Sequence, residues 1–172
     1  TAAGVRYAGR TDVMLASVEP GAAIAGAFTT SSTRSACVLD CQAKLAMTVP
    51  EGAGAAIIVN SGNANAFTGA QGQTSVDAVT GAVAEALAIP ASRVFSSSTG
   101  VIGEPLPHER IVEAIGALKA GLAPAGIEAA ARAIMTTDTF PKVATREVAT
   151  PDGPIRIDGI AKGPGMIAPN MA

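Results

Sequence analysis

Apolar and polar residues fall into blocks along this chain, and the blocks divide it into three stretches. In the first, short apolar segments are separated by turn chemistry: Val13 to Val18, Ile24 to Thr30 and Cys37 to Leu39, with Glu19-Pro20-Gly21 and a Ser/Thr-rich run between them. Each segment is read as a strand. Ala55 to Val59 is continuously apolar and stops at Asn60-Ser61-Gly62, which is the pattern of a strand covered on both faces. Helical spacing takes over after Gln73, where Val76, Val79, Val83 and Leu87 recur at three and four residues. Thr74 with Asp77 resembles a capping box there, and Pro90 supplies a stop.

Val94-Phe95-Ser96 reads as a further strand. Pro107 suits the first turn of a second helix with the stripe Ile111, Ile115, Leu118 and Leu122, and an Ala-rich third helix runs from about Ile127 to Met135. The last stretch is a hairpin, Val143 to Thr150 and Ile155 to Ile160 around Pro151-Asp152-Gly153. Strands, then helices, then strands predict a layered α/β or α+β fold, and 172 residues suit one domain spanning 1–172.

Composition narrows the packing and the partners. The chain has no Trp, one Tyr and four Phe, so its core must rest on Ala, Val and Ile, with close approaches allowed by 19 Gly. The net charge is −2 and the basic residues are scattered, which argues against nucleic acid and against a charged membrane surface. No apolar run nears the ~20 residues that span a bilayer, and Thr1 to Arg10 does not read as a signal peptide. Cys37 and Cys41, if on a strand, stand ~13 Å apart, beyond the ~7 Å Cα limit of a disulfide. With His108 the one histidine, no Cys/His zinc site assembles within the chain, and the thiols are expected to be half-buried in a reducing cytoplasm.

One histidine and no obvious Ser-His or Cys-His pair leave this chain without a complete nucleophilic catalyst of its own. Three loops nevertheless concentrate hydrogen-bonding groups. Asn60 to Gly69, with three Asn and two Gly, could hold a polar ligand or fix a tight loop through side-chain-to-backbone bonds, and its composition favours the second. Ser96 to Gly103 places the Thr99 hydroxyl beside the unhindered Gly100 amide. Those two donors could face a developing oxyanion, or the segment could be a turn into the next helix. Met135 to Lys142 could be a polar substrate wall or a helix end satisfied by its own hydroxyls. Lys162 could meet a carboxylate or lie solvated on the surface. The sequence from Gly159 to Ala172 stays apolar and Gly-rich to its last residue, which suggests a cut or truncation there.

Four motifs, in this order, resemble the ornithine acetyltransferase (glutamate N-acetyltransferase) family: Asn60 to Gly69, Ser98-Thr99-Gly100-Val101-Ile102-Gly103, Met135 to Lys142, and Ala161 to Ala172. The resemblance runs from about Gly4 to Ala172. It implies a layered α/β sandwich of the self-cleaving type, completed by a β chain released from the same precursor by scission after Ala172. The nucleophile is then a Thr at the start of the β chain, outside this chain. The resemblance also implies that Thr99 and Gly100 stabilise the oxyanion, that Thr136 and Lys162 bind substrate, and that the Asn60 to Gly69 loop supports the site without a catalytic role.

The implied reaction moves acetyl from N-acetylornithine to glutamate through an acetyl-Thr ester, giving ornithine and acetylglutamate. It uses no metal or organic cofactor, and some members also accept acetyl-CoA. The implied assembly is α2β2 or larger, in the cytoplasm. The alternative is an amidohydrolase or aminopeptidase of a related self-cleaving fold, and a different class altogether is a non-catalytic module that holds a small ligand in its Gly/Asn loops.

Overall fold

A computed structural model of the chain describes residues 1–165. At its centre four strands pair in the order β1 (Ala2–Ala3), β2 (Thr11–Val18), β3 (Ala55–Asn63) and β4 (Val94–Val101). β2 and β3 are antiparallel, with Val13 opposite Asn60 and Val18 opposite Ala55. β3 and β4 are parallel, with Ala56 beside Val94 and Gly62 beside Gly100. Parallel neighbours need a crossover, and helix α2 (Gly69–Leu87) provides it.

Side chains alternate across a strand, so each strand contributes to two faces. On one face Val13, Leu15, Ala56, Ile58 and Val94 pack under α2 and α3 (His108–Ala120), which supply Val79, Val83, Ile111, Ile115 and Leu118. Each Val, Leu or Ile so buried contributes about 1.5–3 kcal/mol, and this face holds the main core. On the other face Met14 packs against Ala133 and Ile134 at the end of α4 (Ile127–Ala133). Beside them Phe95 and Ala55 meet Cys41 of α1 (Ala36–Leu45). The hairpin of β5 (Lys142–Thr150) and β6 (Gly153–Ala161) forms a second, two-stranded sheet, largely exposed, whose Ile160 joins the α4 cluster.

The runs at Val13, Ala55 and Val94, the helices at Ile111 and Ile127, and the terminal hairpin stand where the pattern predicts. Two predicted strands do not. Cys37 to Leu39 lies in α1, where Cys37, Cys41 and Leu45 recur every four residues and turn one helical stripe toward β4. Both cysteines are buried free thiols rather than strand residues. Ile24 to Thr30 buries Ile24 and Phe28 against Cys41 and Phe95, but only Thr29 makes a bridge. The outer edge of β4 is already occupied: Lys44 and Cys41 donate to the carbonyls of Val94 and Ser96, atoms that a further strand would have used.

The start of α2 and the end of α3 also differ from expectation. α2 starts at Gly69, so Thr74 is inside the helix and its hydroxyl donates back to the Ala70 carbonyl instead of capping. Its other end agrees with the proline stop: the helix closes at Ala88, in the left-handed conformation, two residues before Pro90. Leu122 falls just beyond α3, whose buried stripe ends at Leu118.

Candidate active site

The parallel pair β3–β4 ends in a pinch. Gly100, with φ +136°, lies so close to β3 that an added Cβ would sit 2.3 Å from the Gly62 carbonyl carbon and 2.6 Å from the Asn63 nitrogen. Gly62 has φ +96° and is covered in turn by Arg6 and Tyr7. Past this point the register slips, since Asn63 pairs with both Thr99 and Val101. Two glycines opposite each other let the strands approach and turn their last peptides, which leaves Thr99 half-buried and Gly100 exposed at the strand end. Of this segment, Ser96 to Val101 is therefore the end of a strand and not a turn into the next helix.

Thr99 projects to the α4 face, in register with Ser61, whose hydroxyl donates to the Ala133 carbonyl at 2.7 Å. There it meets two residues from distant parts of the chain. Lys162 Nζ donates to Thr99 Oγ1 at 3.0 Å and to Thr136 Oγ1 at 2.8 Å. An ammonium carries three hydrogens and accepts none, so among the described residues two are used and one remains. Because each hydroxyl accepts from Lys162, its own hydrogen stays available to point elsewhere. The group thus presents hydroxyl and ammonium donors within one small region, beside the exposed Gly100 backbone.

Asp138 holds the segments that carry Thr136 and Lys162. Its Oδ1 accepts from the Gly163 amide at 2.6 Å and from Lys142 Nζ at 2.7 Å, and its Oδ2 accepts from the Thr136 amide at 3.2 Å. Burial pushes this carboxyl up, but the bonds from Lys142, Gly163 and Thr136 together outweigh that and hold it well below the usual carboxylate range. Lys142 also lies over the Phe140 ring at 4.6 Å. The neighbouring carbonyl of Met135 accepts from Arg10, whose guanidinium stacks on Tyr7 at 3.9 Å.

The Asn-rich segment is consumed internally. Asn60 donates to the Asn63 carbonyl and accepts from the Ser98 hydroxyl; Asn63 donates to Glu104 and Pro105 carbonyls and accepts from the Asn65 amide. Asn65, at φ 45°, donates to the Gly72 carbonyl and accepts from Thr68. All three Asn are at most 4% exposed, so the segment fixes its own backbone, the reading its composition favoured. His108 shares a hydrogen bond with Ser75 between α3 and α2, on the opposite face of the sheet from Thr99.

Sequence reasoning left Asp12 and Asp138 without roles. Asp12 is fully buried and accepts from the amides of Val5, Arg6 and Tyr7, which sets the loop that covers Gly62. The signal was an acid second in an otherwise apolar strand, Thr11-Asp12-Val13-Met14-Leu15. For Asp138 it was the spacing to Lys142, four residues on. Among the described residues no group of three or more His, Cys, Asp or Glu could hold a metal ion, and no helix is long and apolar enough to cross a membrane. Two open clefts, of about 410 and 450 Å³, are lined by none of Thr99, Thr136 and Lys162. Ala172, expected to precede the scission, lies outside the described residues.

Comparison with known proteins gives this arrangement its context. The model of the ArgJ family matches residues 1–172. The chain belongs to the ArgJ family. It is 63% identical over 171 residues to the arginine biosynthesis bifunctional protein ArgJ of Ruegeria pomeroyi, covering 99% of this chain and 41% of that protein. The ArgJ of Gluconobacter oxydans is 52% identical, with 99% and 39% covered. The chain therefore spans about two fifths of the length of the curated ArgJ relatives it matches.

Among solved structures, ArgJ from Bacillus halodurans superposes with a TM-score of 0.78 at 36% identity, over 92% of this chain and 83% of that one. Ornithine acetyltransferase from Mycobacterium tuberculosis, complexed with ornithine, gives 0.76 at 35%, with the same coverage. The mixed α/β fold is the ArgJ fold.

Proposed function

We propose that this chain is the α part of an ornithine acetyltransferase, a single domain completed by a β chain cut from the same precursor after Ala172. The β chain begins with the nucleophilic Thr. Its hydroxyl attacks the acetyl carbonyl of N-acetylornithine while its own α-amine, of ordinary pKa about 7.7–8.0, takes the proton. The Thr99 hydroxyl and the Gly100 amide receive the negative charge on the tetrahedral oxygen. Collapse expels ornithine, whose amine takes that proton back, and leaves an acetyl-Thr ester; the amine of glutamate then attacks that ester, gives up its proton through the α-amine to the departing Thr oxygen, and leaves as acetylglutamate.

Thr136 and Lys162 hold the amino-acid part of the substrate, with the remaining hydrogen of Lys162 suited to a carboxylate. No metal or organic cofactor enters this scheme, and acetyl-CoA is a second acetyl donor only if the β chain admits it. Assembly as α2β2 or larger, in the cytoplasm, follows from the same family reading.

The observation that carries the proposal is the contact of Lys162 with both Thr99 and Thr136. Three residues, from three separated motifs, meet on one ammonium, and such convergence of donors is what an oxyanion-forming reaction requires. The ArgJ names of the relatives support the same chemistry. The test is incubation of the mature full-length protein with N-acetylornithine, with and without glutamate. Ornithine release that depends on glutamate, with acetylglutamate formed in equal amount, is expected. Release at the same rate without glutamate assigns the site to hydrolysis instead.

A further inference from the structure

We infer that Asp138 is the positioning residue of this site: its carboxylate joins the segment bearing Thr136 to the segment bearing Lys162 and so holds the Lys162 ammonium on Thr99. The inference rests on the substrate-binding reading of Lys162 given above. Thr136 and Lys162 are 26 residues apart in the chain, with the exposed hairpin between them. A long side chain such as Lys loses much rotamer freedom when fixed, so its backbone must be anchored for its ammonium to stay in register. Asp138 supplies that anchor on both sides, through the Thr136 amide on one oxygen and the Gly163 amide on the other. Gly163 directly follows Lys162. The side chain of Asp138 has no exposed surface, so its acceptor capacity is directed to these protein donors. Lys142, itself 31% exposed, balances the charge, and among the described residues Lys162 donates to the two hydroxyls.

The positioning role makes a specific kinetic demand. D138N in the mature full-length protein keeps the size of the side chain but turns an amide NH2 toward donors on one side. KM for N-acetylornithine is expected to rise roughly tenfold, with kcat reduced no more than about threefold. In a K162A background the same substitution should add less than about twofold to KM, because the residue it positions is gone. An unchanged KM in D138N, or a penalty that multiplies in full onto that of K162A, overturns the inference.

K162A alone tests the underlying reading. If it leaves KM untouched, Lys162 is not at the substrate and the site assignment falls. If it raises KM while D138N does not, only the positioning role falls. Should D138N not give folded protein, amide exchange on the unaltered protein decides the question. A Gly163 amide protected at least about tenfold over an open loop supports the anchor, and exchange at the unprotected rate overturns it.

Discussion

β3 and β4 are parallel neighbours that both end in polar residues, yet they spend those residues in opposite ways. At the end of β3, Asn60, Ser61 and Asn63 are buried and bonded to carbonyls, amides and hydroxyls of the protein itself. At the end of β4, Thr99 is half-buried, accepts from Lys162, and keeps its own hydrogen, while Gly100 is exposed. One set of polar groups specifies the backbone, and the other is held ready by it. The difference lies in how many donors remain uncommitted once the protein's internal bonds are counted. On the proposed function, breaking the β3 end is expected to cost stability, and removing the Thr99 hydroxyl at the β4 end is expected to cost rate.

Removing the uncommitted donor should have the largest effect. T99A in the mature protein is expected to lower kcat by about 10²–10³-fold with little change in KM, the usual loss for one oxyanion donor. The unfolding free energy should fall by less than about 1 kcal/mol, since the hydroxyl and methyl that are lost are only half-buried. Steady-state kinetics beside urea unfolding would check both. Unaltered turnover would remove Thr99 from the oxyanion role, and a large stability loss would make β4 resemble β3. G100A strikes the seam between the strands. Its Cβ would sit 2.3 Å from Gly62 in a backbone conformation that suits glycine, so a loss of about 1–3 kcal/mol of stability is expected together with lost activity.

Much of this fold was legible because the apolar spacing of α2 and α3 is set by burial on one face of each helix, and because Pro151-Asp152 supplies the turn of the exposed hairpin. The α1 helix was not, because Cys37-Val38-Leu39 looks like a short apolar run. Its helical stripe appears only when Cys41 and Leu45 are counted with Cys37. Ile24 to Thr30 misleads for another reason: Ile24 and Phe28 pack partly buried against the core, but Lys44 and Cys41 have already used the edge of β4. The site was legible as motifs and not as a place. Nothing in local spacing brings Thr99, Thr136 and Lys162 to one ammonium, since that contact depends on the β3–β4 pinch and on the Asp138 anchor. Family resemblance singled out the three residues, and the geometry gives a physical reason for them.

The β3 side of the comparison yields an effect on folding of intermediate size. N65A removes the bond to the Gly72 carbonyl and the acceptor for Thr68, and leaves an alanine at φ 45°. Lost buried bonds and left-handed strain together predict a destabilisation of about 2–3 kcal/mol. N65G should recover about 1 kcal/mol of that, because glycine adopts the same backbone without strain. Folded N65A should retain kcat within about threefold of the unaltered protein. If kcat instead falls as far as in T99A, the Asn segment is part of the chemistry and the division between the two strand ends is wrong.

The smallest effect concerns acid, and it separates the Asp138 anchor from both strand ends. Its carboxyl titrates lower in the folded protein than in the unfolded chain, where the ordinary value is about 3.9. Between those two values the unfolded chain binds a proton that the folded protein does not, so stability must rise with pH across that interval. The contribution is complete above about pH 5 and is lost as pH falls from about 4 toward the folded value. Urea midpoints of the unaltered protein and D138N should therefore differ by a constant amount from pH 7 to about pH 5, and converge below about pH 4. A difference that instead grew on acidification would mean that the folded protein holds the Asp138 proton more tightly than the unfolded chain. The anchor would then be a neutral acid, unable to accept from Lys142 and two amides at once.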